Sequence, residues 1–438
     1  MTDLKEIAKR VFVQTLRAIE PGSAVNQKVR VEGNTLTIEK EQVSLDAYSE
    51  VVLIGIGKAS LKMASAVENL LGDRIKRGVL VTNRRLRVPV RSEVVVAGHP
   101  LPDANSLKAA EKIVEMVESC SDDSLIVFLI SGGGSSLVEL PLSPSISLED
   151  LRAVNQVLIG SGASIREINI VRKGLSQIKG GRLGRHARNS KCLALYLSDV
   201  NPGDILSIAS NPLLPEPAGA EEFFGVVDKF DLMRKFPRSV ANAIGSKDTS
   251  ASEPRASFGG EDMVASIVLD NSDAIEAAAR LARQYGFRVK TDADMIEGDY
   301  RSIADRSIEH LLELKSSFPG ERVCLISGGE VSCPVRGAGT GGRNQEFVLY
   351  CATRLAGSSI REGAAVLSCG TDGIDGNSNA AGAVADAESA VRALEFGELP
   401  SSFISRNDSH SFFKKMGGLV VTGPTGNNVR DLRISMTE

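Results

Sequence analysis

Leu-Ile-Ser-Gly-Gly occurs twice in the chain, at Leu129–Gly133 and at Leu325–Gly329. Each copy closes an apolar run of buried-strand character. A strand that ends in Ser and bare glycines leaves backbone N–H groups open to an anion such as phosphate. The first copy runs on as Ser131-Gly132-Gly133-Gly134-Ser135-Ser136, a donor-rich cradle for phosphate or carboxylate oxygens. Gly55-Ile-Gly-Lys58 reads as a strand turning into a helix, with the Lys58 ammonium added to the positive helix N-terminus. It is not a P-loop, because the four-residue gap before Gly-Lys is missing, and not a dinucleotide fingerprint, because Ser60 stands where the third glycine belongs. In Ser198-Asp199-Val-Asn201-Pro-Gly-Asp204 a carboxylate follows another apolar run. Asp199 there can take magnesium or accept a proton. Asn201 and Asp204 read equally well as parts of an Asx turn.

The second copy ends at Glu330 and leads into Gly337-Ala-Gly-Thr-Gly-Gly-Arg343-Asn344-Gln-Glu346. Glycines this crowded are costly to order, and their density implies that something sits close to the backbone. Arg343 offers a planar fork for phosphate or carboxylate, and Asn344 a polar side chain beside it. Glu346 reads as a favourable first-turn acid. Gly370-Thr-Asp372-Gly-Ile-Asp375-Gly puts two acids at a strand end, a metal or general-base arrangement. Asp372 is the stronger candidate, and Asp375 reads equally as a turn residue. Thr422–Asn428 forms a further polar, glycine-bearing loop. His99, His186, His310 and His410 show no ligand spacing, and the basic run Arg172–Arg188 reads as a solvated face.

These segments need a scaffold. Short continuous apolar runs at 51–56, 78–82, 93–97, 125–130 and 192–198 alternate with helical patterns at 60–71, 105–119, 148–158 and 165–179. This is a mostly parallel sheet covered on both faces. A Pro-rich stretch at 211–218 and a charged one at 223–247 predict a hinge. A second α/β alternation follows, from a strand at 265–270 to a last strand at 419–422. The predicted domains are 1–250 and 251–438, with the active site in the cleft between them. Residues 1–24 read as an amphipathic surface helix rather than a signal peptide. With 438 residues, 42% hydrophobic, 4% aromatic, no Trp and a net charge of −4, the composition disfavours nucleic-acid binding and membrane recruitment. No apolar run approaches the ~20 residues of a membrane span. Six cysteines without C-x-x-C spacing predict a cytoplasmic protein without a zinc or disulfide framework.

In this order the motifs resemble those of the glycerate 2-kinase family. The residues that carry the resemblance are Gly55–Lys58, Gly98–Asp103, Ser131–Ser136, Ile165–Lys173, Ile178–Leu183, Ser198–Val200, Ser327–Glu330, Gly341–Glu346, Thr371–Gly376 and Thr422–Asp431. The resemblance implies an N-terminal Rossmann-like domain and a C-terminal α/β domain of MOFRL type. It implies ATP- and Mg²⁺-dependent phosphorylation of D-glycerate at its 2-hydroxyl, giving 2-phospho-D-glycerate and ADP. Lys58 and Arg343 then hold the glycerate carboxylate or the transferred phosphate. Ser131–Ser136 cradle anionic oxygens, Asp199 and Glu330 serve metal or substrate, and Asp372 is the base. Two departures touch substrate scope: Ser210-Asn211-Pro212-Leu213 replaces Ser-Gly-Pro-Thr, and His410 stands where Tyr is usual. A hydroxypyruvate reductase and a non-catalytic sugar-acid binder are the alternatives. Oligomeric state, with a homodimer as one possibility, is open.

Overall fold

The computed structural model describes residues 3–215, 219–246, 263–292, 297–360 and 363–438. Two compact units emerge: Ala24–Val268, and Met1–Ser23 together with Leu269–Glu438. The boundary expected at 250/251 lies outside the described residues.

In the first unit β1 (Val29–Glu32), β2 (Thr35–Ile38) and β3 (Glu41–Ser44) form an antiparallel meander. The main sheet contains β4 (Glu50–Ile56), β5 (Ile75–Thr82), β6 (Glu93–Val96), β7 (Ser124–Ile130), β8 (Lys191–Leu197) and β9 (Met263–Leu269), in the order β6-β5-β4-β7-β8-β9. From β4 to β8 all pairings are parallel. Every residue of β7 is buried, as its continuous apolar sequence requires of a strand covered on both faces. Ile56, Ile130 and Tyr196 stand in register across β4, β7 and β8. The C-terminal ends of the three strands therefore lie side by side.

Three expectations change here. The strand expected to open the second domain is β9, which instead lies at the edge of the first sheet. The expected hinge is no linker. Helices Ala220–Lys229 and Arg238–Gly245 bury Phe223, Val226, Val227, Val240 and Ile244 against Leu151, Val154 and Val171 of the preceding helices. Their charges occupy the outer faces, which masks this apolar side in the sequence. The Pro-rich stretch is anchored too: the Gly181 amide donates to the Asn211 carbonyl at 2.7 Å, and Leu213 is buried. Residues 216–218 and Lys247 lie outside the described residues.

The second unit holds β10 (Arg288–Asp292), β11 (Glu297–Asp299), β12 (Val323–Ser332), β13 (Ala364–Gly370), β14 (Gly382–Asp386), β15 (Leu419–Val420) and β16 (Asp431–Thr437). Its order is β10-β12-β16-β13-β14-β15, with β11 beside β12. β16 runs antiparallel to both β12 and β13, so this sheet is mixed. The pairing also corrects the reading of the second Leu-Ile-Ser-Gly-Gly. The strand does not end there: Gly328 and Gly329 pair with Leu432 and Asp431. The glycines make room for Asn271, whose Oδ1 accepts the Gly329 amide at 2.8 Å.

Helix Leu4–Ala18 belongs to this second unit rather than to an N-terminal domain. Leu4, Ile7, Ala8, Val11 and Phe12 share a buried cluster with Ala365, Leu367, Ile434 and Met436. Its amphipathic pattern is visible in the sequence, but its partner sheet is not. We predict that Phe12→Ala costs about 3–5 kcal/mol in denaturant unfolding. Hydrogen exchange should speed up in β13 and β16 and stay unchanged in β4 and β7. Loss of protection in β4 would contradict the assignment.

Candidate functional site

In the first unit the C-terminal ends of β4, β7 and β8 present the residues singled out from sequence. Gly57 has φ +131°, and a Cβ there would stand 2.1 Å from the Ser131 hydroxyl. Only glycine permits that approach. Ser131 is fully buried: its amide donates to the Ile56 carbonyl at 2.9 Å and its Oγ accepts from the Ala59 amide at 3.1 Å. Ser131 therefore ties the two strand ends together rather than cradling a ligand. The Lys58 amide donates to the Gly132 carbonyl at 3.0 Å, which places Lys58 over the glycine loop. Gly133, left-handed, precedes the single helical turn Gly134–Leu137. That turn leaves the Gly134 and Ser135 amides without an acceptor among the described residues. Ser136 Oγ donates back to Gly133, and Ser135 Oγ bonds Ser210 Oγ at 2.7 Å. Asp199 is half-buried just beyond β8, and Asn201 opens a turn whose carbonyl accepts the Asp204 amide.

Next to this loop lies a pocket of about 180 Å³, lined by His99, Gly133, Ser135, Glu139, Arg172 and Lys179 among others. Lys179 and Glu139 are both buried and form an ion pair. Ser176 Oγ and the Leu140 amide also donate to Glu139. The Arg172 Nε donates to Asn155 Oδ1 at 2.7 Å. Burial lowers the Arg172 pKa, with the Glu139 charge opposing. This part of the basic run is therefore not a solvated face. The period of the run belongs to the helix, but the pocket is formed by segments distant in sequence. His99 is open to solvent on one side. Desolvation of the rest of the ring, then the Lys58 charge, push its pKa down to about 4, so it is neutral at pH 7.

In the second unit Arg343 starts helix Arg343–Ala356. Its Nε and Nη2 donate to Asp431 at 2.6 and 2.9 Å, and Nη2 also reaches Glu330 at 2.9 Å. Burial disfavours its charge, but Asp431 and Glu330 outweigh burial and raise its pKa. Nη1 has no hydrogen bond among the described residues, so one face of the fork can still meet a ligand. Asp431, fully buried at the start of β16, was not singled out from sequence, although it closes the Thr422–Asp431 motif. Glu330 is raised by burial first, with Arg343 opposing.

The two acids of the Gly370–Gly376 segment take different roles. Asp372 Oδ1 accepts the Ile374 amide at 3.0 Å, an Asx turn. Asp375 is buried and accepts from the amides and side chains of Asn344 and Gln345, capping the helix that Arg343 begins. Burial raises Asp375 to about 6 against those four donors. Asn344 is buried in this network and accepts from Ser368 Oγ at 2.5 Å, so it supports the site from behind. The glycine-rich loop is crowded by the chain itself. A Cβ on Gly337 would meet the Arg406 carbonyl at 2.1 Å, and one on Gly342 would meet Asp375 at 2.3 Å. His410, one of the two family departures, bonds Gln345 Oε1 at 3.2 Å. Asp199 and Glu330, the expected metal ligands, belong to different units. No cluster of three His, Cys, Asp or Glu among the described residues is suited to a metal ion.

Residues 7–245 match the family described as Domain of unknown function (DUF4147), and residues 323–431 match the MOFRL family. Over 438 residues the chain is 35% identical to a D-glycerate 2-kinase of Thermotoga maritima, with 99% of this chain and 98% of the relative covered. The chain belongs to the glycerate kinase family. Its fold agrees with the crystal structure of the Thermotoga maritima glycerate kinase at a TM-score of 0.85 and 34% identity, covering 99% of both chains. A putative hydroxypyruvate reductase of Agrobacterium vitis is 39% identical over 98% of this chain and 93% of its own length. The MOFRL match begins at β12 and closes on Asp431, so in this member of the glycerate kinase family it contains both ends of the Arg343–Asp431 pair.

One acid in that span was undervalued. Glu346 is buried, and neither of its carboxylate oxygens has a hydrogen-bond partner. Burial is the first cause that pushes it from 4.5 to about 7; the nearby Ser409 hydroxyl and Arg301 oppose, and the charges of Asp375 and Asp408 add to the rise. The folded state therefore keeps this proton at pH values where the unfolded chain has lost it, and stability falls as pH rises from about 4.5 to about 7. Glu346→Gln should remove that slope and stabilise the protein at pH 8 by about 1–3 kcal/mol, with little change at pH 4.5. Urea unfolding at both pH values measures it. Equal effects at the two would be inconsistent with a buried titrating carboxyl.

Proposed function

We propose that the protein phosphorylates D-glycerate at the 2-hydroxyl with ATP, giving 2-phospho-D-glycerate and ADP. The observation that carries the reading is the pairing of Lys58 with the open amides of Gly134 and Ser135 at one sheet edge. It occurs in a chain whose whole length resembles a D-glycerate 2-kinase. Phosphoryl transfer asks little covalent chemistry of a protein. It asks for in-line positioning and for positive or dipolar groups around the transferred oxygens. Lys58 supplies charge there, and the loop supplies fixed N–H dipoles. Within the second unit, Arg343 keeps its Nη1 available to an anion, its direction held by Asp431. Asp372 is assigned as the base for the 2-hydroxyl, its orientation set by the Ile374 amide.

Magnesium is expected with the nucleotide and supplies charge neutralisation of its phosphates when bound. Among the described residues no group of three His, Cys, Asp or Glu is placed to hold it; magnesium bound with a nucleotide would keep phosphate and water ligands and take one or two carboxylates. Asp199, just beyond the end of β8, is assigned as the carboxylate that would meet it, while Glu330 is held by Arg343 and raised in pKa by burial. None of the six cysteines forms a disulfide, and we place the protein in the reducing cytoplasm. The name of the Agrobacterium vitis relative keeps a reductase in view. Against it, Ser60 occupies the third-glycine position of a dinucleotide turn and donates to the Val81 carbonyl at 3.1 Å.

Protein, ATP, Mg²⁺ and D-glycerate incubated with enolase and no mutase should give phosphoenolpyruvate at once. A requirement for mutase would move the product to the 3-phosphate. NADH with hydroxypyruvate should show no oxidation above background. Lys58→Ala should lower kcat by roughly 10²–10³ with folding intact. Turnover within a few-fold of the parent would remove Lys58 from the transfer step. Asp372→Asn tests the base in the same assay, and an unchanged kcat would end that assignment.

A further inference from the structure

The pocket beside the glycine loop has a charge left over. Lys179 and Glu139 cancel one another, and Glu139 is further occupied by Ser176 and Leu140. Arg172 has only the neutral Asn155 oxygen on its Nε and no ion pair among the described residues. The lining therefore carries two cations and one anion, and a bound monoanion would balance it. At about 180 Å³ the space falls below the roughly 300–1,000 Å³ of sites that take drug-sized ligands, so it suits a three-carbon acid and not a nucleotide. Leu151, Val154 and Leu175 offer apolar contact for a short carbon chain. The lining continues to Gly133 and Ser135 of the loop that precedes the open amides.

We propose that this pocket is the acceptor subsite, in which Arg172 binds the carboxylate of the hydroxy acid and turns its hydroxyl end toward the Gly133–Ser135 loop. The proposal rests on the glycerate reading above and adds the residue that selects for the acid group. A guanidinium offers two parallel donors to a carboxylate, and its burial beside an apolar wall strengthens the contact. Glycerol has the same carbon chain without the acid group, so it would gain nothing from Arg172.

Steady-state kinetics on Arg172→Gln and Arg172→Lys test this. Loss of a charge-assisted contact should raise KM for D-glycerate roughly 10- to 150-fold in Arg172→Gln and leave KM for ATP within about 3-fold. Arg172→Lys keeps the charge but not the fork and should fall between. The preference for glycerate over glycerol should shrink in Arg172→Gln by the same factor as its KM rises. A folded variant with unchanged KM for glycerate would overturn the subsite, as would equal losses on glycerate, glycerol and ATP. Should the parent protein fail to phosphorylate glycerate, the functional reading falls and the subsite is judged by calorimetric titration of D-glycerate without nucleotide. Binding to the parent that weakens at least 10-fold in Arg172→Gln supports the subsite. No binding to the parent, or equal binding to both, overturns it. Arg172→Lys decides by the same readouts if Arg172→Gln does not fold.

Discussion

The contact between Gly57 and Ser131 is the constraint on which the first unit's site depends. With no Cβ on Gly57, the end of β4 can press against the end of β7, and the Ser131 hydroxyl and amide tie the two together. The consequence reaches outward along the chain. Lys58 comes next after Gly57 and bonds the Gly132 carbonyl, and the glycines after Ser131 turn at once into a single helical turn. A side chain at position 57 would separate the strand ends and carry the lysine away from the open amides. The chemistry of the loop thus follows from an absence of bulk at the residue immediately before Lys58.

The second unit solves a similar problem with charge. Arg343 is held by two carboxylates, one buried at the start of β16 and one at the side of β12. A buried charge without a partner would cost several kcal/mol, and the Arg343–Asp431 contact is what offsets that cost for the pair. Asp375 then fixes the helix that carries Arg343. The arginine's direction is set from three elements before any ligand arrives, which lowers the ordering cost of binding.

How much of this was visible in the sequence follows from where each signal is stored. β4, β7 and β8 are continuous apolar runs and were found to within a residue or two. β16 was missed because Asp431-Leu-Arg433-Ile-Ser-Met alternates as a half-exposed strand does, yet it is buried along its whole length. Its Arg433 is hidden against Ser327, Gly328 and the ring of Phe347, a central-strand position that a polarity pattern cannot reveal. Lys58, Arg343 and the Ser131–Ser136 loop stood out because glycine spacing marks strand ends. Glu139, Arg172 and Lys179 did not, because nothing local links an acid in one loop to a cation on a helix and another in the turn after it. The Gly337–Gly342 run was visible but ambiguous, since crowding by a ligand and crowding by Arg406 demand the same glycines.

Helix Leu4–Ala18 has a consequence in time. It is made before any strand of the protein, yet its apolar face is buried with β16, which is made after every other strand. At about 5–20 residues per second, translation separates the two by roughly twenty seconds to more than a minute. Throughout that interval the first unit can complete its parallel sheet, while Ile7, Val11 and Phe12 have no finished surface to cover them. The apolar stripe of this helix therefore waits for its partner strand through most of the chain's synthesis.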